Sequence, residues 1–161
     1  MPDAPQIEEL RAVLERIERT CRPHMRYHNS WLHGLGHLRE VALLAGRIAA
    51  MEGLDVEAAM VGGYLHDCGR EDDAAGNSHA IVSARLAREI MAAAFAHLDA
   101  GRICRAIERH ADGLVTPDPL EGAIWDADRL TLPRAGHVVK LELLSTSAGR
   151  LLAGQARQNN R

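Results

Sequence analysis

Aromatic side chains are nearly missing from this chain: one Phe, two Trp and two Tyr in 161 residues. The apolar 47% is carried instead by Ala, Leu, Ile and Val, a balance that favours helices over sheet. Cysteine is also sparse. Cys21, Cys68 and Cys104 are widely spaced and odd in number, which argues against a CxxC thiolate site or a disulfide framework. A reducing, cytoplasmic setting is therefore expected. No apolar run approaches the roughly 20 residues of a membrane span, and no basic-then-apolar leader opens the chain. Lysine occurs once, at Lys140, and the net charge is −3. Neither nucleic acid nor an anionic membrane is expected as a partner on that balance.

What the chain does have is histidine, nine residues of it, too dispersed to be a tag. Surplus histidine serves metal ligation or acid–base chemistry. The length suits one domain with a proper core, and no internal repeat or linker divides it. Residues 6–22 carry Ile7, Leu10, Val13, Leu14 and Ile17 at helical spacing, which predicts an amphipathic first helix ended by Pro23. A Gly- and His-rich segment from Tyr27 to His37 leads into a second helix. There His37, Val41, Leu44 and Ile48 share one stripe, so His37 points inward. Gly53 closes that helix and Asp55 caps the next.

The third helix, from Val56, is apolar apart from Glu57 and runs into His66-Asp67-Cys68-Gly69. Adjacent residues diverge by about 100° inside a helix. At a loosened C-terminal turn, which Gly69 can supply, His66 and Asp67 can both reach an ion lying beyond it. Residues 70–77 read as an exposed loop. Asn77 or Ser78 then caps a helix over 79–95 with Ile81, Val82, Leu86, Ile90 and Met91 on its buried face, and His79 stands in its first turn. A fifth helix over 99–111 buries Ile103 and Ile107 and places His110 at its C-terminus, where a cation is also favoured by the helix dipole. Asp118, Pro119 and Glu121 form a start signature for a sixth. In that helix Asp128 shares the side of Ile124, and Asp126 lies about 200° from it. Pro133 ends it, a last helix spans about 134–152, and a polar tail over 154–161 frays.

Five helices thus offer His37, His66-Asp67, His79, His110 and Asp128 in turn. A metal site inside a helical bundle requires such inward projection from facing helices. The order resembles the HD superfamily of metal-dependent phosphohydrolases, whose pattern is His, then His-Asp, then Asp. The stretch His33 to Val41 resembles the family's opening helix, Leu65 to Arg70 its central signature, and Asp126 to Leu130 its closing segment. The resemblance covers about 24–132 and implies an all-α, HD-type single domain of six or seven helices over residues 1–161.

That resemblance makes His37, His66, Asp67 and Asp128 the expected ligands of a first divalent ion, with Asp128 preferred to Asp126. His79 and His110 occupy the places where two-metal members hold a second ion, bridged through Asp67. One ion or two is left open, as is the metal among Mn, Fe, Mg, Co, Ni and Zn. Arg70 is the expected phosphate contact, and His33, with His28, an expected ligand-supporting or substrate group. His24, His97 and His137 are read as surface or packing residues. The implied activity is hydrolysis of a phosphate ester of a small nucleotide or related metabolite by metal-activated water. Two readings compete: a di-iron oxygenase of HD type, and a regulatory module that binds metal or nucleotide without catalysis. Homo-oligomerisation is left open.

Overall fold

A computed structural model describes residues 4–25, 30–74 and 76–159. Among them are seven α-helices and no strand: α1 Ala4–Cys21, α2 Leu35–Glu52, α3 Val56–Leu65, α4 Ser78–Ala94, α5 Ala100–Arg109, α6 Pro119–Leu130 and α7 Ser147–Asn159. The all-α expectation holds. Local caps set several boundaries. Asp55 accepts the Ala58 N–H at the start of α3, and Gly53 turns left-handed (φ 68°) at the end of α2. Asp118 accepts the N–H groups of Leu120 and Glu121 ahead of Pro119.

The bundle is built around α3, where every residue from Ala58 to Leu65 is buried. A helix apolar on all sides belongs at the centre of a core, and α3 touches α1, α2, α4, α5 and α6. Its closest neighbour is α2. A Cβ on Gly63 would stand 3.0 Å from the Val41 carbonyl oxygen and 3.1 Å from Ala42 Cα, so only glycine lets these backbones approach. That approach brings the first turn of α2, with His37, against the end of α3, with His66.

Four local expectations need correction. On α4 the buried face is Ala80, Ser83, Ala84, Ala87, Ile90 and Met91, whereas Ile81 and Val82 are exposed. Small residues, not the β-branched pair, meet the neighbouring helices. Asn77 lacks a side-chain cap bond and donates to the Ala111 carbonyl instead. Glu121 does not reach back to its own helix start; it accepts from Arg105 and Thr116. The last helix begins at Ser147, not near 134, and continues through the expected polar tail to Asn159. Between α6 and α7 the chain makes short 3-10 turns at Leu132–Ala135 and Leu141–Leu143. No helix of the described residues is long and apolar enough to cross a membrane.

Candidate metal centre

His66 is the C-cap of α3, and Asp67 lies in the turn just beyond it. Gly69 serves this turn by close contact. A Cβ there would lie 2.8 Å from Ser83 N, and the Gly69 N–H donates to Ser83 Oγ at 3.0 Å. Cys68 Sγ donates to the Ser83 carbonyl. The His66-Asp67 turn is thereby docked on α4, whose first turn carries His79. His110 is the C-cap of α5, and Asp128 comes from the last turn of α6.

These residues converge on Asp67, which is 3% exposed. Its Oδ2 lies 3.6 Å from His66 Nε2 and 3.8 Å from His37 Nε2. Its Oδ1 faces the other way, 3.1 Å from His79 Nε2 and 3.5 Å from His110 Nε2. Asp128 Oδ1 joins the first group, 3.4 Å from His37 Nε2 and 3.6 Å from His66 Nε2. Within each histidine pair the Nε2 atoms are 3.1 Å apart. Two sets of donors within metal-binding reach follow: His37, His66 and Asp128, and His66, Asp67 and His110. Asp126 is absent from both. It is fully buried on the far side of α6, accepting from Ser145 N, Thr146 N and Thr146 Oγ1.

The hydrogen-bond partners assign the tautomers. His66 Nδ1 donates to the Gly63 carbonyl and His110 Nδ1 to the Ile107 carbonyl, each at 2.7 Å and each three residues back. A helix end leaves such carbonyls without an intrahelical donor, so one bond caps the helix and turns the ring. His79 Nδ1 likewise meets the Gly76 carbonyl. All three rings then present an Nε2 lone pair to the centre. Around Oδ1 this brings together His79 Nε2, His110 Nε2 and the carboxylate oxygen, and Arg70 Nη2 lies 3.0 Å from His79 Nε2. Asp67 Oδ1 is buried and has no hydrogen-bond partner among the described residues. Acceptors in mutual contact repel unless a cation lies among them. Metal–nitrogen bonds of about 2.1 Å set neighbouring donors about 3.0–3.4 Å apart, and the separations here run from 3.1 to 3.8 Å. The donor set therefore fits a divalent ion.

The electrostatics of the metal-free centre agree. Burial pushes the His37 imidazole down to about 3, and the neighbouring His66 adds to it. Burial acts on His66 too, but Asp67 and Asp128 outweigh it and raise that group to about 9. Of the two, His66 is the ring favoured to carry positive charge, between the carboxylates of Asp67 and Asp128. Burial alone would raise Asp67 and Asp128, yet the charge favoured on His66 beside them holds both below the usual carboxylate range.

Two expected substrate groups lie at the rim. Arg70 is buried, with Nε donating to Asp67 Oδ2 at 3.0 Å and Nη2 facing His79. The loop 70–77 is thus not wholly exposed. His33 pairs with Asp73 at 2.7 Å and meets the His37 ring edge-on. His28 falls outside the described residues. His24, His97 and His137 are exposed, and His97 faces Glu57. Arg134 was not anticipated. From the turn after α6 it reaches His37 Nδ1 at 3.2 Å, Glu40 Oε2 at 3.1 Å and the Trp31 carbonyl. No spacing rule points to it, because it acts across 97 residues. His33, Asp67, Arg70, Asp128 and Arg134 all line a pocket of about 150 Å³.

The HD domain model matches residues 34–132. The chain belongs to the HD-domain family. It is 33% identical over 129 residues to Ribonuclease Y of Syntrophotalea carbinolica, covering 79% of this chain and 23% of that protein. Ribonuclease Y of Lawsonia intracellularis is 34% identical over 130 residues, again 79% of this chain and 23% of the relative. The chain thus spans about a quarter of the length of these curated relatives. A predicted HD superfamily hydrolase from an uncultured Thermotogales bacterium superposes with a TM-score of 0.71 at 23% identity, over 91% of this chain and 86% of that one. At that identity the likeness speaks for the fold.

Proposed function

We propose that this HD-domain chain is a metal-dependent phosphohydrolase acting on phosphodiesters, RNA among them. The observation that carries the reading is the convergence of two imidazole nitrogens on Asp67 Oδ1, a buried oxygen without a hydrogen-bond partner among the described residues. His37, His66, Asp67 and Asp128 would hold one divalent ion, and Asp67, His79 and His110 a second. A bound ion supplies Lewis acidity toward a phosphoryl oxygen and lowers the pKa of its water toward neutrality.

The chain's own groups do the rest. Asp67 presents one oxygen to each histidine pair and is oriented by Arg70 Nε. Arg70, with a guanidinium suited to phosphate oxygens, and His33 at the rim would align the substrate. Buried walls leave about 150 Å³, enough for a phosphoryl group and little more. Similarity to proteins named Ribonuclease Y supports RNA over the small nucleotide or metabolite that the family resemblance implies. The expectation of no nucleic-acid partner is set aside on that ground.

The test is metal content followed by turnover of bis(p-nitrophenyl) phosphate and a short single-stranded RNA, with and without chelator. Metal-dependent cleavage that falls at least about a thousandfold in Asp67→Asn, with the fold intact by circular dichroism, is the expected result. Tightly bound iron with no phosphodiester turnover would transfer the site to oxygenase chemistry. Metal bound without any turnover would leave a regulatory module.

A further inference from the structure

The 150 Å³ pocket does not end at its own walls. A second cavity of about 430 Å³ adjoins it, and the two share His110, Ala111 and Leu132. A substrate with its phosphorus at Asp67 must extend outward, and this cavity is a direct continuation. Its far side is the irregular stretch between α6 and α7, which contributes His137, Val138, Lys140 and Leu143.

The lining is cationic, with Arg129, His137 and Lys140 and no carboxylate. Arg129 is committed to the framework: it donates to the carbonyls of Leu114 and Leu143 and stacks on Trp125. Lys140, the sole lysine of the chain, and His137 differ. Both are exposed, and neither side chain has a hydrogen-bond or ion-pair partner among the described residues. Between them Val138 is 76% exposed, an apolar surface beside two unpaired cationic or basic groups. A stretch that only closed the fold would turn such a side chain inward, as Val139 does next to it at 8%.

We propose that this cavity is a nucleoside subsite. It takes the nucleoside adjoining the scissile phosphate against Val138, Leu132 and Leu143, and the next phosphate at Lys140 and His137. The ligand chemistry is a nucleoside with a phosphate on each side, supplied by a single-stranded RNA end or by a free nucleoside bisphosphate. The proposal rests on the phosphohydrolase reading.

Calorimetric binding to the chelated protein, in which no turnover competes, tests it with three probes: pApA, ApA and adenosine 3′,5′-bisphosphate. Wild type is expected to bind pApA about fivefold more tightly than ApA, the worth of one exposed ionic contact. Lys140→Gln brings that ratio to about one. Val138→Glu weakens both dinucleotides. Tighter binding of pApA than of the bisphosphate assigns the subsite to RNA, and the reverse to a free nucleotide. No binding by wild type, equal binding of pApA and ApA, or a ratio untouched in Lys140→Gln overturns the subsite. Turnover of bis(p-nitrophenyl) phosphate is read separately. Its absence beside the expected binding pattern would fail the hydrolase reading and leave the subsite standing.

Discussion

Two aspartates on α6, two residues apart, occupy opposite surroundings. Asp126 is buried against the Ser145–Thr146 turn, and its two oxygens take three hydrogen bonds from N–H and O–H donors. Asp128 faces the other way, 25% exposed, toward the imidazoles of His37 and His66. A carboxylate surrounded by fixed donors is a structural acceptor, and it holds the start of α7 against α6. A carboxylate surrounded by imidazoles lacks such donors and needs a cation or a shared proton. Position within one helix turn therefore separates an acid held by fixed donors from one that faces imidazoles.

Substitution of each should break the molecule differently. In Asp128→Asn, metal affinity and turnover should drop at least about a hundredfold, since even groups that only support metal ligands are worth 10–100-fold. The melting temperature of the metal-free protein should fall by less than in Asp126→Asn, because Asp67 remains to hold the charge on His66. Equilibrium dialysis with Mn²⁺ or Zn²⁺ beside thermal unfolding reads both, and unchanged metal affinity would remove Asp128 from the ligand set. Asp126→Asn should show the converse. An amide NH₂ replaces one acceptor opposite buried donors, a loss of about 2–4 kcal/mol, or roughly 5–10 °C for a chain of this size. Metal affinity should stay within about twofold of wild type once the protein is kept below its melting range. If Asp126→Asn instead loses the metal while keeping its stability, the roles are reversed.

A smaller effect sharpens the chemical half of the comparison. In chelated protein His66 is raised from 6.5 to about 9, so its stabilisation is complete below pH 6.5 and is lost as pH rises through about 9. His37 is lowered from 6.5 to about 3, so its contribution is present above 6.5 and is lost as pH falls toward 3. Stability of the metal-free form should peak near pH 6.5 and decline on both sides. With a divalent ion in place of the proton on His66, the decline above 6.5 should flatten. Melting curves from pH 5 to 9, with and without chelator, decide this. Identical curves would mean that metal and proton do not compete at this site.

Much of the frame was legible in the chain because it depends on neighbours in sequence. Caps such as Asp55 and the Asp118-Pro119 pair act within three residues. The uninterrupted apolar run from Ala58 to Leu65 in α3 dictates a central helix wherever its partners come from. Faces were harder to read. The spacing of Ile81 and Val82 allows a buried stripe, but the adjoining Ala80, Ser83 and Ala84 permit the closer packing that the Cys68-Gly69 turn demands. The 132–146 segment carries few periodic apolar residues, and its course depends on contacts such as Arg129 with Leu143 and Asp126 with Thr146.

The sequence by itself determined the helical class and most helix boundaries, because composition, capping and spacing are local properties, and the resemblance of its His, His-Asp and Asp segments to a known family named the residues to look for. Only the tertiary structure decided which oxygen of Asp67 faces which histidine pair, that Arg70 leans on Asp67, that Arg134 closes the rim, and that Val138 and Lys140 stand in an open cavity. Those are distances between residues far apart in the chain, and the packing of α2, α4, α5 and α6 around α3 sets them.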